Sequence, residues 1–484
     1  MIPVWAALAA EPALLAEDRL PDFSWAGYHQ GEEPAWPEPT ASVLDFGAVP
    51  DDGLSDHAAF QAAVNEGGVV LVPAGTYVID GLVRIWRSVV LRGEQGSVLE
   101  LPVPLEALLG EAPQWSWNGG LFWVSPSASP ELLSPVTESY TRGEVFPQAG
   151  LLVLTDDEER SLGRHLHNDQ AEPGDCDWQT TITLSWPTDG EQPLRFDVRP
   201  EWSPQLFTYP ALSEVGFERL TFRFPDEEYP GHLDERGYNA IFFEKGVRDS
   251  WVRELTLVNS DNGVLTDTLS KNLLVADVRF EGRMGHHGFN VAQTADSLFR
   301  DIHYEQDHIH SMTVDHRSSG NVFMRVSSAE GLEVEMDHHR DSPFENLFVA
   351  FTATPNFING GSWCAGQPGG ARNTFWGLPG PLFEPYWSSV QTNLVGDFDA
   401  PESMTQDQEW VENLESVEPR NLYLWQRAER LGLAYQDTGL APEAAPADED
   451  EGCGGCSSNP APAGLLLFLL VQRVLRSRES TCSS

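Results

Sequence analysis

The chain contains 484 residues and carries a formal net charge of −45 at pH 7, from 74 acidic and 29 basic side chains. This length is enough for a large core, either in one elongated solenoid with appendages or in two or three domains. The acidic balance argues against nucleic-acid binding, for which a basic patch is expected, and it indicates a heavily hydrated surface.

Residues 1–16 are interpreted as a weak signal peptide. They are apolar and end in small residues before Glu17 and Asp18, as a cleavage site does. They lack a basic segment and contain Glu11 and Pro12, which is unusual for such a signal. We expect cleavage after Ala16.

Residues 17–101 are expected to form an N-terminal segment, a cap and the first coils of the fold. Ser55 or Asp56 begins a short helix with its apolar residues on one face: Ala59, Phe60, Ala63 and Val64. Short β-runs separated by turn residues follow the helix: Val69–Val72, Tyr77–Ile79, Val83–Ile85 and Val89–Leu91.

Residues 43–101 combine DFGA, a short Asp/Gly run, an Ala-rich helix and then GGVVLVPAGTYVI. This order resembles the N-terminal cap and first coils of the pectate lyase superfamily, the β-helix proteins related to rhamnogalacturonases and epimerases. The resemblance implies an all-β fold, a right-handed parallel β-helix (solenoid) with an N-terminal capping helix and irregular insertions. It also implies an enzyme that cleaves or epimerises an acidic polysaccharide in a groove along the outside of the coils.

Residues 102–210 interrupt this pattern and are predicted to form an inserted loop or β region. They are rich in Pro, Gly, Trp and acidic residues, and three strand-like runs stand apart: Leu151–Leu154, Thr181–Leu184 and Leu194–Val198. We expect this insertion to wall one side of a groove.

Residues 211–351 repeat at an interval typical of a solenoid and are predicted to be the central coils. The apolar centres of successive short runs are 23, 24, 24 and 21 residues apart: Leu255, Val278, Ile302, Val326 and Leu347. A second series follows 10 to 13 residues after the first: Leu265, Val291, Val314 and Met336. This period leaves no room for a crossover helix, so the repeat predicts stacked coils that share one apolar column.

Histidines concentrate in these coils, with eight of the chain's thirteen between residues 286 and 340. Within this stretch, Val314-Asp315-His316-Arg317 is followed 22 residues later by Met336-Asp337-His338-His339-Arg340. If Val314 and Met336 point into the column, alternation turns the aspartates outward on neighbouring rungs about 4.8 Å apart, with Arg317 beside His339. Two such carboxylates repel each other, so either one keeps its proton or a cation bridges them.

The doubled motif supplies the groups that a polysaccharide lyase needs. These are a base for the C5 proton of a uronic acid, a cation for its carboxylate and an acid for the leaving oxygen. The predicted catalytic residues are Asp315, His316, Arg317, Asp337, His338, His339 and Arg340.

Individual roles follow from side-chain chemistry. Arg317 and Arg340 can hold the uronate carboxylate, and His339 or His316 can act as the base, with alternation favouring His339. Asp315 and Asp337 can orient a histidine or bind Ca²⁺, the one cofactor that we expect. Turn residues beside these rungs are predicted to contact the substrate: His286, His287, Asp307 and His310.

Three other interpretations stay open from the sequence. A glycoside hydrolase would use the stacked aspartates as its acid and its second carboxylate. A transition metal could be held by HHGFN at 286–290 and DHIH at 307–310, although the spacing matches no zinc signature. A non-catalytic polysaccharide-binding surface protein would need an aromatic groove but no ionisable pairs.

Residues 352–440 are predicted to form the last coils and a C-terminal cap, with a helix in VEPRNLYLWQRAERLG. Residues 441–459 have the composition of a disordered linker. Residues 460–484 join an apolar run, too short for an ordinary spanning helix, to a basic end. The linker, GCGGC, the apolar run and the terminal arginines together resemble the C-terminal sorting signal of myxobacterial surface proteins.

This second resemblance implies export, processing at Cys453 or Cys456 and attachment to the outer membrane at the cell surface. The expected substrate is an acidic polysaccharide, and the expected state is a monomer. Only Cys176 and Cys364 fall in the folded body, so we expect at most one internal disulfide there.

Overall fold

The computed structural model describes residues 20–156, 161–166, 182–358, 369–380, 382–383, 391–396, 410–413 and 417–436. All of them belong to the unit Met1–Pro442. No helix among the described residues has the length and apolar character needed to cross a membrane. The predicted signal peptide, linker and tail, with Cys453 and Cys456, lie outside the described residues, as do Cys176 and Cys364.

The N-terminal part forms a cap and the first coils. The helix α1 (His57–Glu66) buries the face that the sequence predicts. The carboxylate of Asp56, the residue before it, accepts hydrogen bonds from the backbone N–H groups of Val49 and Val78, and this ties the cap to the first coil. The strands here are β1 (Ala41–Ser42), β2 (Gly68–Val72), β3 (Gly75–Val78), β4 (Val83–Ile85), β5 (Val89–Gly93) and β6 (Ser97–Glu100).

The next segment contains one strand of the coils and a separate antiparallel sheet. The helix α2 (Leu105–Leu109) and a 3-10 turn (Pro113–Ser116) precede β7 (Phe122–Val124), which pairs in parallel with β4. The antiparallel sheet has its own apolar core, to which α3 (Ser161–Leu166) contributes Leu162 and Leu166. Its strands are β8 (Leu132–Pro135), β9 (Ala149–Asp156), β10 (Ile182–Asp189) and β11 (Gln205–Phe207).

The coils resume with strands that alternate between two long sheets, apart from two short strands, Ser270–Lys271 and Thr294–Ala295, which pair with each other. They are β12 (Val215–Arg223), β13 (Asn239–Phe243), β14 (Trp251–Val258), β15 (Asn262–Thr266), β16 (Ser270–Lys271), β17 (Leu274–Glu281), β18 (Gly285–Ala292), β19 (Thr294–Ala295), β20 (Leu298–Tyr304), β21 (His308–Asp315), β22 (Val322–Ser328), β23 (Val334–His338), β24 (Leu347–Val349) and β25 (Pro355–Ile358). The last described elements are β26 (Thr374–Trp376), β27 (Leu382–Phe383), β28 (Asn393–Gly396), β29 (Trp410–Asn413) and the helix α4 (Leu422–Leu431).

Two long parallel sheets establish the architecture. The first sheet runs β1-β2-β5-β12-β14-β17-β20-β22-β24-β26-β28-β29, and the second runs β27-β25-β23-β21-β18-β15-β13-β7-β4. Through the central coils, neighbours within a sheet are one coil apart in the sequence, so each coil contributes a strand to both sheets. The predicted parallel β-helix is therefore confirmed, and its apolar column runs through the coils.

Backbone pairing confirms the first predicted series and corrects its end. Leu255, Val278, Ile302 and Val326 are partners on successive strands. Leu347 pairs with Val322 and not with Val326, so it does not continue that row.

The second series is wrong at both of its ends. Leu265 pairs with Asn290, one residue before Val291. Val314 pairs with His338, and Met336 pairs with Met312, 24 residues earlier. The two similar motifs lie 22 residues apart, so they are displaced by two positions relative to the backbone ladder.

Identical side chains stack along the column because the coils are in register. The rings of Phe299, Phe323, Phe348 and Phe375 form one stack, with centroids 4.9, 5.2 and 5.1 Å apart. At a turn, the amide of Asn321 donates to Asn346 (3.0 Å), which donates to Asn373 (3.1 Å). Such ladders satisfy polar groups that have no access to water.

A buried ionic network joins the antiparallel sheet's segment to the coils. Arg195 contacts Asp296 (2.6 Å) and Glu345 (3.2 Å), and Lys271 contacts Asp296 (2.6 Å). Glu345 also pairs with Arg142 (2.6 Å) and Arg372 (2.7 Å). Burial by itself would raise the pKa of Glu345, but these guanidinium groups lower it to about 2.

We expect Glu345→Gln to lower the free energy of unfolding at neutral pH by about 3 kcal/mol, because three arginines lose a buried counter-ion. A lowered pKa means that ionised Glu345 stabilises the fold above pH 4.5, and that this contribution is lost as the pH falls toward 2. Urea unfolding at several pH values should therefore show a smaller acid-induced loss in the variant. The exposed Glu330→Gln is the control, and equal pH slopes in E345Q and wild type would contradict the prediction.

Candidate active site

Five histidines converge beside three successive strands of the second sheet. This histidine cluster comprises His286 and His287 from β18, His310 from β21, His339 from just after β23, and His232 from the loop between β12 and β13. Ring centroids are 4.1 Å apart for His286 and His287, 4.9 Å for His232 and His286, and 5.4 Å for His286 and His310. His339 lies 6.0 Å from His310.

Two consecutive histidines of β18 lie side by side. In a regular strand they would point to opposite faces, yet the rings of His286 and His287 stack at an angle of 21°. The following residue is Gly288, where a Cβ would lie 2.5 Å from the carbonyl oxygen of Ser311. Nδ1 of His287 lies 3.0 Å from Oδ1 of Asn262 and 3.2 Å from the carbonyl oxygen of Ser116, which orients the ring.

A buried carboxylate lies beside His286. Oε1 of Glu235 lies 3.1 Å from Nδ1 of His286 and also accepts a hydrogen bond from the hydroxyl of Tyr229. Burial would raise the pKa of Glu235, but interactions with His286, Ser116 and Tyr229 lower it to about 2. Glu235 is therefore an anion that lies close to one ring nitrogen of His286.

A second buried carboxylate orients His339. Nδ1 of His339 lies 2.8 Å from Oδ2 of Asp337, and Nδ1 of His310 lies 3.5 Å from the same oxygen. Burial lowers the pKa of His310 to about 4, which the Asp337 carboxylate opposes. In His339 the effect of burial is outweighed by the hydrogen bond and charge of Asp337, so its pKa is raised. The His339 side chain is 27% exposed, and it can exchange a proton with a bound molecule.

The first copy of the doubled motif begins at the end of β21 and continues into a turn. His316 and Arg317 adopt left-handed backbone conformations, with φ values of 46° and 61°. Nδ1 of His316 contacts Asp315 (2.9 Å), and Nε of Arg340 lies 3.5 Å from the other oxygen of that aspartate. Arg317 contacts Asp341 (3.3 Å) and not His339, so the predicted Arg317–His339 proximity is wrong.

The predicted stacking of Asp315 on Asp337 is also wrong. Thr313 is the strand partner of Asp337, and Asp337 instead contacts His310 and His339. Asp315 is occupied by His316 and Arg340. The facing carboxylate pair that was expected to bind Ca²⁺ is therefore not formed.

A further expectation requires correction. His338 is fully buried in the column, 5.4 Å from Phe348, and burial lowers its pKa to about 3. His338 occupies a position in the column where an apolar residue would be expected. Its buried side chain cannot contact a substrate, so its predicted catalytic role is wrong. Asp307 is exposed in a turn, where its carboxylate accepts the His308 backbone N–H and shows no contact with the histidine cluster.

His232, Glu235 and Tyr229 were not predicted from the sequence. They belong to the HLDE stretch and the residues before it, 51 residues or more upstream of His286, in a loop without periodicity. The only local indication of a site in this loop was that a glutamate follows the histidine after three residues. His303, by contrast, lies on the first sheet and contacts Ser327 (2.9 Å).

A separate concave surface lies along the first sheet, and the cavity that it lines has a volume of about 860 Å³. Trp36 contributes to it, with 43% of its surface exposed and its ring centroid 3.3 Å from the guanidinium carbon of Arg253. Arg92, Arg219 and Glu254 supply polar groups nearby. An aromatic face with polar neighbours suits sugar stacking, but none of the histidine cluster lines this surface.

Comparison with known families bears on the N-terminal coils. Residues 40–102 match the family described as rhamnogalacturonase A/epimerase, pectate lyase-like. This is the block on which the resemblance in the sequence was based, and a pectate-lyase-like β-helix is supported there. No curated protein sequence matches the chain.

Solved structures give distant likenesses. The catalytic domain of Agl-KA shares 14% identity at a TM-score of 0.37, over 76% of this chain and 49% of that one. This chain thus spans about half the length of that domain. The A-module of the Azotobacter vinelandii mannuronan C-5 epimerase AlgE4 shares 14% identity at a TM-score of 0.36, over 75% of this chain and 79% of that module. PfbA, a surface adhesin of Streptococcus pneumoniae, shares 11% identity at a TM-score of 0.35, over 74% of this chain and 70% of that chain.

We expect Asp337→Asn to lower the pKa of His339, because a neutral amide cannot stabilise the imidazolium as the carboxylate does. The His339 Cε1–Hε1 signal, assigned with His339→Gln and followed by NMR from pH 5 to 9, measures this change. Asp80→Asn in the first coil is the matched control. An unchanged His339 pKa in D337N would contradict the assignment of the pair.

Proposed function

We propose that this chain is a carbohydrate-active enzyme that cleaves an acidic polysaccharide by β-elimination. The observation that carries the proposal is the Asp337–His339 pair (2.8 Å), in which a buried carboxylate orients a partly exposed imidazole. Arg340 is one residue away and is 33% exposed, so a cation for the uronate carboxylate is at hand. The family match of residues 40–102 supports a carbohydrate substrate.

The chemistry assigns each group a task. His339 removes the proton from C5 of a uronic acid, while Asp337 stabilises the imidazolium that forms. Arg340 neutralises the substrate carboxylate and so stabilises the charge that develops on it. The C4–O bond breaks as the C4=C5 double bond forms, and the leaving oxygen takes up a proton from an acid or from water.

A glycoside hydrolase on the same fold is less well supported. It requires two carboxyl groups on either side of the scissile bond. Asp337 is fully buried and bound to His339, and Asp315 is paired with His316 and Arg340. The carboxylates are thus positioned to orient basic side chains.

The acidic surface should make this activity depend on salt. A net charge of −45 repels a polyanionic substrate. Screening over about 8 Å at 0.15 M ionic strength weakens that repulsion. We also propose, from the C-terminal sequence, that the protein is exported and attached to the cell surface, where such substrates occur. Separately, we propose that it is a monomer.

The concave surface around Trp36 favours a second candidate function, polysaccharide binding without catalysis. Its exposed indole, with cationic and anionic neighbours, can stack on a sugar ring without any proton transfer. In this case the histidine cluster would have no part in substrate recognition.

The test is to incubate the purified full chain with a panel of uronic-acid polysaccharides in 0.15 M salt, with Ca²⁺ and then with EDTA. We expect ultraviolet absorbance of unsaturated uronates and new reducing ends to rise together. His339→Ala should reduce this rate about 10²- to 10⁴-fold, as expected for loss of a proton-transfer group. The histidine His303 on the first sheet provides the matched control, and His303→Ala should retain the wild-type rate.

Two results would overturn the proposal. New reducing ends without absorbance would identify a hydrolase. Binding without either signal, lost in Trp36→Ala but kept in His339→Ala, would identify a polysaccharide-binding protein.

A further inference from the structure

We infer that His232, His286 and His310 bind one divalent transition-metal ion of the Zn²⁺ class. One ring nitrogen from each of these residues lies within 4.8 Å of the other two. Tetrahedral zinc with ligands at 2.0–2.1 Å holds its nitrogen donors about 3.4 Å apart. His232 is exposed on its loop, so its donor has room to approach the two ligands on the strands.

The surroundings of the ligands form an independent argument. Nδ1 of His286 faces Glu235 (3.1 Å) and Nδ1 of His310 faces Asp337 (3.5 Å), and both carboxylates are buried. Histidines that bind metals usually donate the other ring N–H to a carboxylate, which fixes the ring and strengthens the donor. Each of the two ligands from the strands thus has a buried carboxylate close to one of its ring nitrogens.

The donor set determines the kind of ion. Three imidazoles favour zinc, copper, nickel or cobalt, whereas Ca²⁺ and Mg²⁺ require oxygen ligands. The two carboxylates also balance the charge of a dication. Three protein ligands leave a fourth position for water or another donor, and His310, Asp337 and His339 form a second close group beside the first.

This site does not rest on the proposed lyase activity. The ligands come from a loop and two strands, and none of them is the proposed base or the proposed carboxylate-binding arginine. A failure to find polysaccharide cleavage would leave the metal inference standing, and a failure to bind metal would leave the lyase proposal standing.

The experiment removes metal from the full chain with a chelator and then titrates it with Zn²⁺ by calorimetry. A Cys453→Ser/Cys456→Ser background removes the thiolate pair as a competing site. We expect one equivalent to bind, and affinity to fall at least 100-fold in His286→Ala and in His310→Ala. His303→Ala should bind like the parent. Co²⁺ in place of Zn²⁺ should give visible d–d bands without a thiolate charge-transfer band.

Two further variants keep the test decisive if the buried substitutions disturb folding. His232→Ala changes an exposed loop residue and should weaken binding without altering the far-ultraviolet circular dichroism. Glu235→Gln should retain one equivalent but bind about 10- to 100-fold more weakly, as expected for a group that orients a ligand. Unchanged affinity in H232A and E235Q, or binding that disappears only with the cysteine changes, would overturn the inference.

Discussion

In-register stacking of coils is the constraint on which the rest of the structure depends. Backbone hydrogen bonds between successive coils set the register, so a residue meets its counterpart about one coil later in each sheet. The phenylalanine stack along the column and the asparagine ladder at the turn both follow from this rule. Each coil can bury its apolar side only against its neighbours, so stability is shared along the array.

The same rule assembles the histidine cluster. Histidines that are far apart in the chain become neighbours because β18, β21 and β23 are adjacent in the second sheet. Two buried carboxylates lie among these rings: Glu235 beside His286, and Asp337 beside both His310 and His339. The proposed metal ligands therefore have contacts with both carboxylates, while His339 is the partly exposed imidazole suited to proton transfer.

Charge is distributed differently inside and outside this protein. The chain has a large acidic excess, yet buried cationic groups have carboxylate partners: Arg195 and Lys271 with Asp296, and Arg92 and Arg253 with Glu218. Such buried pairs are costly to break, so they hold loops and coils in one arrangement. Arg195 and Arg142 in this way attach the antiparallel sheet's segment to the coils.

The sequence by itself determined the coiled architecture, the capping helix and the region of the histidine cluster. Local alternation, the period of about 24 residues and the apolar face of α1 are encoded within single coils, so they could be predicted. The register of Asp337, the burial of His338 and the arrival of His232 and Glu235 were decided only by the tertiary structure. Turns of unequal length shift similar motifs relative to the backbone ladder, and contacts from a distant loop leave no periodic signal in the chain.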